Sequence, residues 1–403
     1  MRYSRRTRWN TEESDLARAH RLRLESGQPL ADLTASNPTR CGFTYPDSLL
    51  QALADPRALD YDPQPQGSLT ARQSVCAYYH DHGVKLDPAQ IVLTTSTSEG
   101  YSFLFRLLCD PGDEVLILQP GYPLFDFLAG LDDVNLKPSA MVYDHGWQID
   151  PEAIRRAITP QTRAIVLVHP NNPTGHFTKP WEAAELARVC SEFSLALIVD
   201  EVFLDYSLGH QPFTFASGDT PVFNTPVFDT PVFVVSGLSK IAGLPQMKAA
   251  WIVVTGSAPD RAGSLGRLEV IADTFLSMNA PVQCALPHWL ASRSEIQSQI
   301  RERTSANLAE LDRHLAAAPS TQRLKVEGGW YAVLRIPALQ PDEQTVRALL
   351  DRGVWVHPGY FFGMPESGWL VLSLITPVHE FVAGVTILVA YLQTHQGSNI
   401  TNH

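Results

Sequence analysis

Short runs of β-branched and other apolar residues recur along the middle of the chain, with almost no polar alternation inside them. They are Ile91–Thr95, Val115–Leu118, Ala164–His169, Ala196–Val199, Val232–Val235 and Trp251–Val254. Strands that lack a polar face are covered on both sides, the signature of a mainly parallel sheet. Helical periodicity fills several of the gaps. Tyr101, Leu104, Phe105 and Leu108 fall at i, i+3, i+4 and i+7, one apolar stripe to lay on a sheet. Trp181–Cys190 has high helix propensity, with Leu186 and Val189 on one face. The alternation predicts an α/β fold, a mainly parallel sheet with helices on both sides.

After about residue 285 the texture changes. Ala285 to Ala317 is rich in Leu, Ala, Arg and Glu and predicts one long helix. Gly328–Arg335 and Val354–His357 then read as strands of a smaller α+β unit, which also takes in the N-terminal segment. The expected division is a large unit over 46–290 and a small one from 1–45 and 291–403. A motif T-P-V-F occurs three times between Thr220 and Phe233, at a five-residue period far short of a solenoid unit. Pro in each copy disfavours a central strand, so it reads as a duplicated loop whose last copy enters the next strand.

Composition narrows the function. With 403 residues, 44% hydrophobic and 18% charged, the chain is an ordinary globular protein of ample core. A net charge of -11 argues against a general nucleic-acid or anionic-membrane surface. Arg2, Arg5, Arg6 and Arg8 are not followed by an apolar stretch, so they do not read as a signal peptide. No run approaches the roughly 18–20 apolar residues of a spanning helix. Cys41, Cys76, Cys109, Cys190 and Cys284 are scattered and odd in number, which suits reduced thiols in a cytoplasmic protein. The histidines show no metal-ligand spacing, and no metal is expected.

Four segments carry candidate chemistry. Phe233–Ser239 delivers Lys240 from an apolar strand into a Ser/Gly turn, the setting of a partly desolvated amine that can attack a carbonyl. Alone, the same segment describes a loop lysine with a snorkelling stem. Thr94–Gly100 places hydroxyls between a strand and a helix, a start that can hold a phosphate or simply cap the helix. Asp200 follows a buried strand, where carboxylates line the ligand crevice of open sheets or cap a turn. His169–Gly175, with two prolines, can hold the Asn172 amide rigidly, and Pro120-Gly121-Tyr122-Pro123 can hold an aromatic ring for stacking.

In this order, Asn171-Asn172-Pro173-Thr174-Gly175, Asp200-Glu201-Val202-Phe203 and Ser239-Lys240 resemble the fold-type I pyridoxal phosphate enzymes, class I/II aminotransferases in particular. The likeness runs from about Tyr61 to Ser373. It implies a three-layer large domain, pyridoxal 5'-phosphate as cofactor, and an amino acid and a 2-oxo acid as substrates. It assigns Lys240 the Schiff base with the cofactor, Asp200 the pyridine nitrogen, Asn172 the ring oxygen and Tyr122 the stacking contact. Ser96, Thr97, Ser98, Ser236 and Lys248 match the phosphate side. Tyr61 resembles a tyrosine that reaches the neighbouring subunit's site, which implies a homodimer with shared active sites.

The chain also departs from that pattern. Lys248 stands where the family usually has arginine, Gly237 where serine is common, and Phe203 where a tyrosine bonds the ring oxygen. Val371 aligns with the arginine that clamps the substrate carboxylate, a strong bidentate contact when present. Arg40, in Ser36-Asn37-Pro38-Thr39-Arg40, is the candidate substitute. The cofactor residues do not fix which bond breaks, so a lyase or decarboxylase of the same fold is the alternative. A non-catalytic regulator is disfavoured by the acidic charge, and a scaffold without turnover by the retained Lys240, Asp200 and Asn172.

Overall fold

The computed structural model describes residues 1–209, 212–217, 228–276, 278–364 and 367–397. Seven strands form the principal sheet: β1 (Ile91–Thr94), β2 (Glu114–Gln119), β3 (Asn135–Ala140), β4 (Thr162–Val168), β5 (Ala196–Asp200), β6 (Val232–Gly237) and β7 (Ala250–Thr255). Their spatial order is β1-β7-β6-β5-β4-β2-β3. β2, β3, β4, β5 and β6 run parallel, while β7 lies antiparallel between β6 and β1. All six apolar runs become strands of this sheet. The seventh, β3, escapes sequence reading because it lies at the edge, is largely polar and carries Pro138, which only an edge strand tolerates.

Strand pleating sends alternate side chains to two separate cores. Val232 and Val234 enter one, with Trp251, Leu186 and Trp289; Phe233 and Val235 enter the other, with Leu104, Phe105 and Leu268. Helices Leu69–Asp81, Pro180–Phe193 and Ala280–Ala291 cover the first face. Helices Thr97–Leu108 and Ala258–Phe275 cover the second, so helix, sheet and helix stack as three layers. Each fully buried Val, Leu or Ile contributes roughly 1.5–3 kcal/mol, which makes these two faces the main source of stability.

A second sheet of four strands follows: β8 (Gln322–Arg323), β9 (Tyr331–Arg335), β10 (His357–Pro358) and β11 (Trp369–Ser373), ordered β8-β9-β11-β10 and wholly antiparallel. Its core takes Leu16 and Leu33 from the N-terminal segment and Phe381 and Leu388 from the last helix. Ala31–Asp32 pairs in parallel with Val354–Trp355. The single strand expected over Val354–His357 therefore splits, its halves joining different partners. The long helix expected from Ala285 is likewise two, Ala280–Ala291 and Arg293–Leu315. Between them the Ser292 hydroxyl donates to the His288 carbonyl at 2.9 Å and closes the first helix.

The first T-P-V-F copy and most of the second lie outside the described residues. The last copy enters β6 at Val232, and Phe228 is buried against Phe215. No helix among the described residues is long and apolar enough to cross a membrane.

Candidate active site

The chain steps outward from β2 to β3, then returns to the other side of β2 with β4. Open α/β sheets hold ligands at such a reversal, beyond the carboxyl ends of the strands. A cavity of about 290 Å³ lies there. Ser96 follows β1, Tyr122 follows β2, Asn172 follows β4, Asp200 ends β5, Lys240 follows β6 and Lys248 precedes β7; all line it. Ser36 and Tyr331 close it from the N-terminal segment and the small sheet.

Lys240 sits in a single helical turn, Leu238–Ile241, directly after β6. The Tyr206 hydroxyl donates to its carbonyl at 2.6 Å, fixing the backbone beneath the amine. Its Nζ stands 5.1 Å from the Trp330 ring centroid and 5.7 Å from that of Phe203. Burial pushes the amine down to about 8, against the opposing pull of Asp200. A substantial neutral fraction near physiological pH is what a nucleophilic amine needs.

Asp200 is 8% exposed, and burial pushes its carboxyl up to about 6. Two donors act in the other direction. The Val202 N–H reaches Oδ1 at 3.1 Å, and the Tyr101 hydroxyl reaches Oδ2 at 3.1 Å. Phe203 contributes an edge to the Trp330 ring at 5.2 Å and no polar group to the cavity.

The turn after β4 separates the roles of two adjacent asparagines. Asn171 is consumed internally: its amide donates to the Pro120 carbonyl at 3.2 Å and its oxygen accepts from the Thr174 hydroxyl at 2.7 Å. Asn172 lines the cavity, is 8% exposed, and its Oδ1 has no partner. Gly175, at φ 70°, lets the turn pack on the small-sheet segment, since a β-carbon there would overlap Gly328 and Val326. The Glu327 N–H donates to the Gly175 carbonyl at 3.2 Å across that contact. Tyr122 lies at the rim, 36% exposed, with its ring edge-on to Phe125.

Ser96 caps the 12-residue helix Thr97–Leu108 by accepting from the Glu99 N–H at 3.1 Å. The Glu99 carboxylate folds back onto the Thr95 N–H at 2.7 Å and so leaves the helix start to Thr97 and Ser98. This end of the dipole favours an anion. Lys248 faces the same cavity from a left-handed conformation, φ 53°, which costs about 1 kcal/mol for a side chain of its kind.

Three predicted residues lie elsewhere. Ser236 is buried with its hydroxyl unpartnered, and it is Gly237 and Ser239 that line the cavity. Neighbours on a strand face opposite ways, so Ser236 shares its side with Val234. Gly237 could not be a serine without rearrangement: a β-carbon would approach Ala250 Cβ at 2.8 Å and the Ala249 carbonyl at 2.9 Å. Tyr61 is 85% exposed and borders a separate cleft with Phe103, Leu276 and Asn279. Arg40 is exposed and does not line the cavity. Its turn is closed by the Cys41 N–H on the Pro38 carbonyl and by Asn37 capping Thr39, and from this loop it is Ser36 that reaches inward. Val371 is fully buried in the core shared with the large sheet, opposite Val333.

Sequence reasoning missed Tyr101, Ser36, Ser239 and Tyr331 as cavity residues. Tyr101 did carry a signal: a hydroxyl on an otherwise apolar helix face needs a buried partner. The others depend on which segments meet in space.

The profile of the aminotransferase class I and II family matches residues 23–378, so the chain belongs to the class I and II aminotransferases, which work with pyridoxal phosphate. It is 25% identical over 396 residues to an alanine aminotransferase of Mycobacterium bovis, covering 94% of this chain and 89% of that one. It is 28% identical over 293 residues to the glutamate-pyruvate aminotransferase of Escherichia coli, covering 71% and 69%. Its fold matches the alanine aminotransferase of Pyrococcus furiosus with a TM-score of 0.87 at 21% identity, over 98% of this chain and 100% of that one. Aminotransferase names among these relatives favour transamination over the lyase or decarboxylase alternative. The cavity fits the cofactor: a buried amide, a helix start with three hydroxyl residues, a carboxylate and an amine all line it.

Proposed function

We propose that this chain moves an amino group between an amino acid and a 2-oxo acid, with Lys240 as the residue that bonds the cofactor and carries protons. The observation that carries this reading is the meeting of a buried amine, lowered to about 8, with buried Asp200 in one strand-end cavity. Pyridoxal phosphate, when bound, supplies the electron sink for the substrate's α-carbon. With the cofactor held, Lys240 Nζ would be the base that accepts the substrate's α-carbon proton and the acid that gives it back. Asp200 holds the pyridine nitrogen, Asn172 the ring oxygen, and Tyr122 stacks on the ring. Ser96, Thr97, Ser98 and Lys248, joined by Ser239 rather than Ser236, hold the phosphate.

On the substrate side, the Lys and Arg side chains lining the cavity are Lys240 and Lys248. Tyr331, which lines the cavity together with Ser36, presents a hydroxyl there instead. We assign the substrate carboxylate to this hydroxyl pair in place of Arg40. Two working units, 46–290 and 1–45 with 291–403, a homodimer that shares sites through Tyr61, and a cytoplasmic location complete the reading.

The test is the visible absorbance of the purified holoenzyme mixed with single amino acids. Loss of the cofactor's visible band with release of an oxo acid supports transamination. Ammonia or carbon dioxide with the band retained overturns it in favour of the lyase or decarboxylase reading.

A further inference from the structure

Asp200 is unusual in how its charge is kept. It lies at the end of β5, is 8% exposed, and faces Lys240, Tyr122, Glu201 and Tyr79 besides Tyr101. Of these, Lys240 alone is a cation. Burial at such a site favours the neutral acid. The groups that oppose it are the Val202 N–H, the Tyr101 hydroxyl and the charge of Lys240. The backbone donor comes with the turn, whatever the side chains are. The Tyr101 hydroxyl comes from a different layer, the helix Thr97–Leu108.

Tyr101 is 2% exposed, its ring edge-on to Phe125 at 5.0 Å and tilted on Phe105 at 6.0 Å. That packing leaves the phenol one direction to point, and it ends 3.1 Å from Asp200 Oδ2. Burial raises the phenol far above its ordinary value, so it stays an O–H and donates at every working pH. We propose that Tyr101 is a positioning residue that keeps Asp200 anionic and aimed, and thereby sets how firmly the cofactor's ring nitrogen holds its proton. Its helix also opens on the phosphate side with Ser96 and Thr97, so one helix bears on both ends of the cofactor.

This inference rests on the reading of Asp200 as the partner of the ring nitrogen. Its test uses the visible absorbance of the holoenzyme titrated with pH, together with the cofactor dissociation constant of the stripped protein. In Tyr101→Phe the pH midpoint should rise by about one unit, because a ring proton held less firmly withdraws less electron density from the Lys240 nitrogen. The cofactor constant should weaken about tenfold, the weight of one hydrogen bond to a charged acceptor. Tyr101→Leu, which shares only the loss of the hydroxyl, should give the same shift. Both effects should shrink to less than about twofold in an Asp200→Asn background, since the charge they act through is gone. An unmoved midpoint in both Tyr101 variants, with Asp200→Asn shifting it, overturns the role of Tyr101 alone. An unmoved midpoint in Asp200→Asn overturns the reading of Asp200 itself. A purely structural Tyr101 would lower the melting temperature equally in both backgrounds and leave the titration where it was.

Discussion

The two sides of the cavity are built differently. The wall made by the large sheet is a row of strand ends, each delivering a polar group: Ser96 after β1, Asn172 after β4, Asp200 at β5, Lys240 after β6. The wall made by the small sheet and the N-terminal segment carries no charge, with Trp330 beside the amine, Val371 in the core behind it, and hydroxyls at Tyr331 and Ser36. On the proposed reading the first wall holds the cofactor, and the second meets the substrates. Of the departures from the family pattern, Gly237, Lys248 and Phe203 fall on the first wall and Val371 on the side of the second.

The largest effect should come from breaking the first wall at its amine. Lys240→Met should lower kcat by at least about a thousandfold, since both the covalent bond and the proton carrier are lost. The same variant should stabilise the cofactor-free protein. The folded-state amine is lowered from 10.5 to about 8, so the unfolded chain binds more protons between those values. Stability then rises with pH across that window, and at pH 7 the wild type carries the full penalty, about 3 kcal/mol. The gain in melting temperature for Lys240→Met should be present at pH 7 and fade as pH climbs past 8. A cofactor-free melting temperature that falls at pH 7 would show that the amine is not paying for burial.

Next in size is Gly237→Ser, which restores the family's usual residue. The β-carbon meets Ala250 and the Ala249 carbonyl below 3.0 Å, backbone among them, so the strand must move. Overpacking of this kind costs about 1–3 kcal/mol, read as a lower midpoint in urea. Tighter cofactor binding without loss of stability would mean that the strand yields easily and that the first wall is less constrained than it looks.

Much of the first wall is legible in sequence because its signals are local. An apolar run followed within a few residues by Asn172, Asp200 or Lys240 places each at a strand end without knowledge of the rest of the fold. Ser236 shows the limit of that logic. It is one residue from Gly237, and a strand's parity sends it into the core with Val234. Tyr101 was legible as a core position and not as a donor, because its partner lies 99 residues away in sequence. β3 and the split of Val354–Pro358 depended on edge position and on which neighbour each half meets. The second wall is assembled from Ser36 and Tyr331, far apart in the chain, and nothing local in either marks it.

Tyr331→Phe probes that second wall. If the Tyr331 hydroxyl holds the substrate carboxylate with Ser36, its loss should raise the amino-acid KM about tenfold and leave kcat within about threefold. The ring stays in place against Phe203 and Phe362, so the cofactor spectrum should not move. A fall in kcat at constant KM would instead place the hydroxyl in the proton-transfer step.

The smallest effect is expected at Arg40, and its smallness is informative. A guanidinium that clamped the carboxylate would be worth far more than a neutral hydroxyl, so Arg40→Ala would then raise KM at least a hundredfold at about 3 kcal/mol or more. Arg40 is exposed on a turn held by Asn37 and Cys41, and Ser36 is the member of that loop inside the cavity. Arg40→Ala should therefore change the amino-acid KM by less than about twofold, as an exposed surface substitution does. A large rise would mean that the loop turns inward when substrate binds, bringing the cation into the cavity. That result would transfer the carboxylate from the hydroxyl pair to Arg40 and give the second wall a charge of its own.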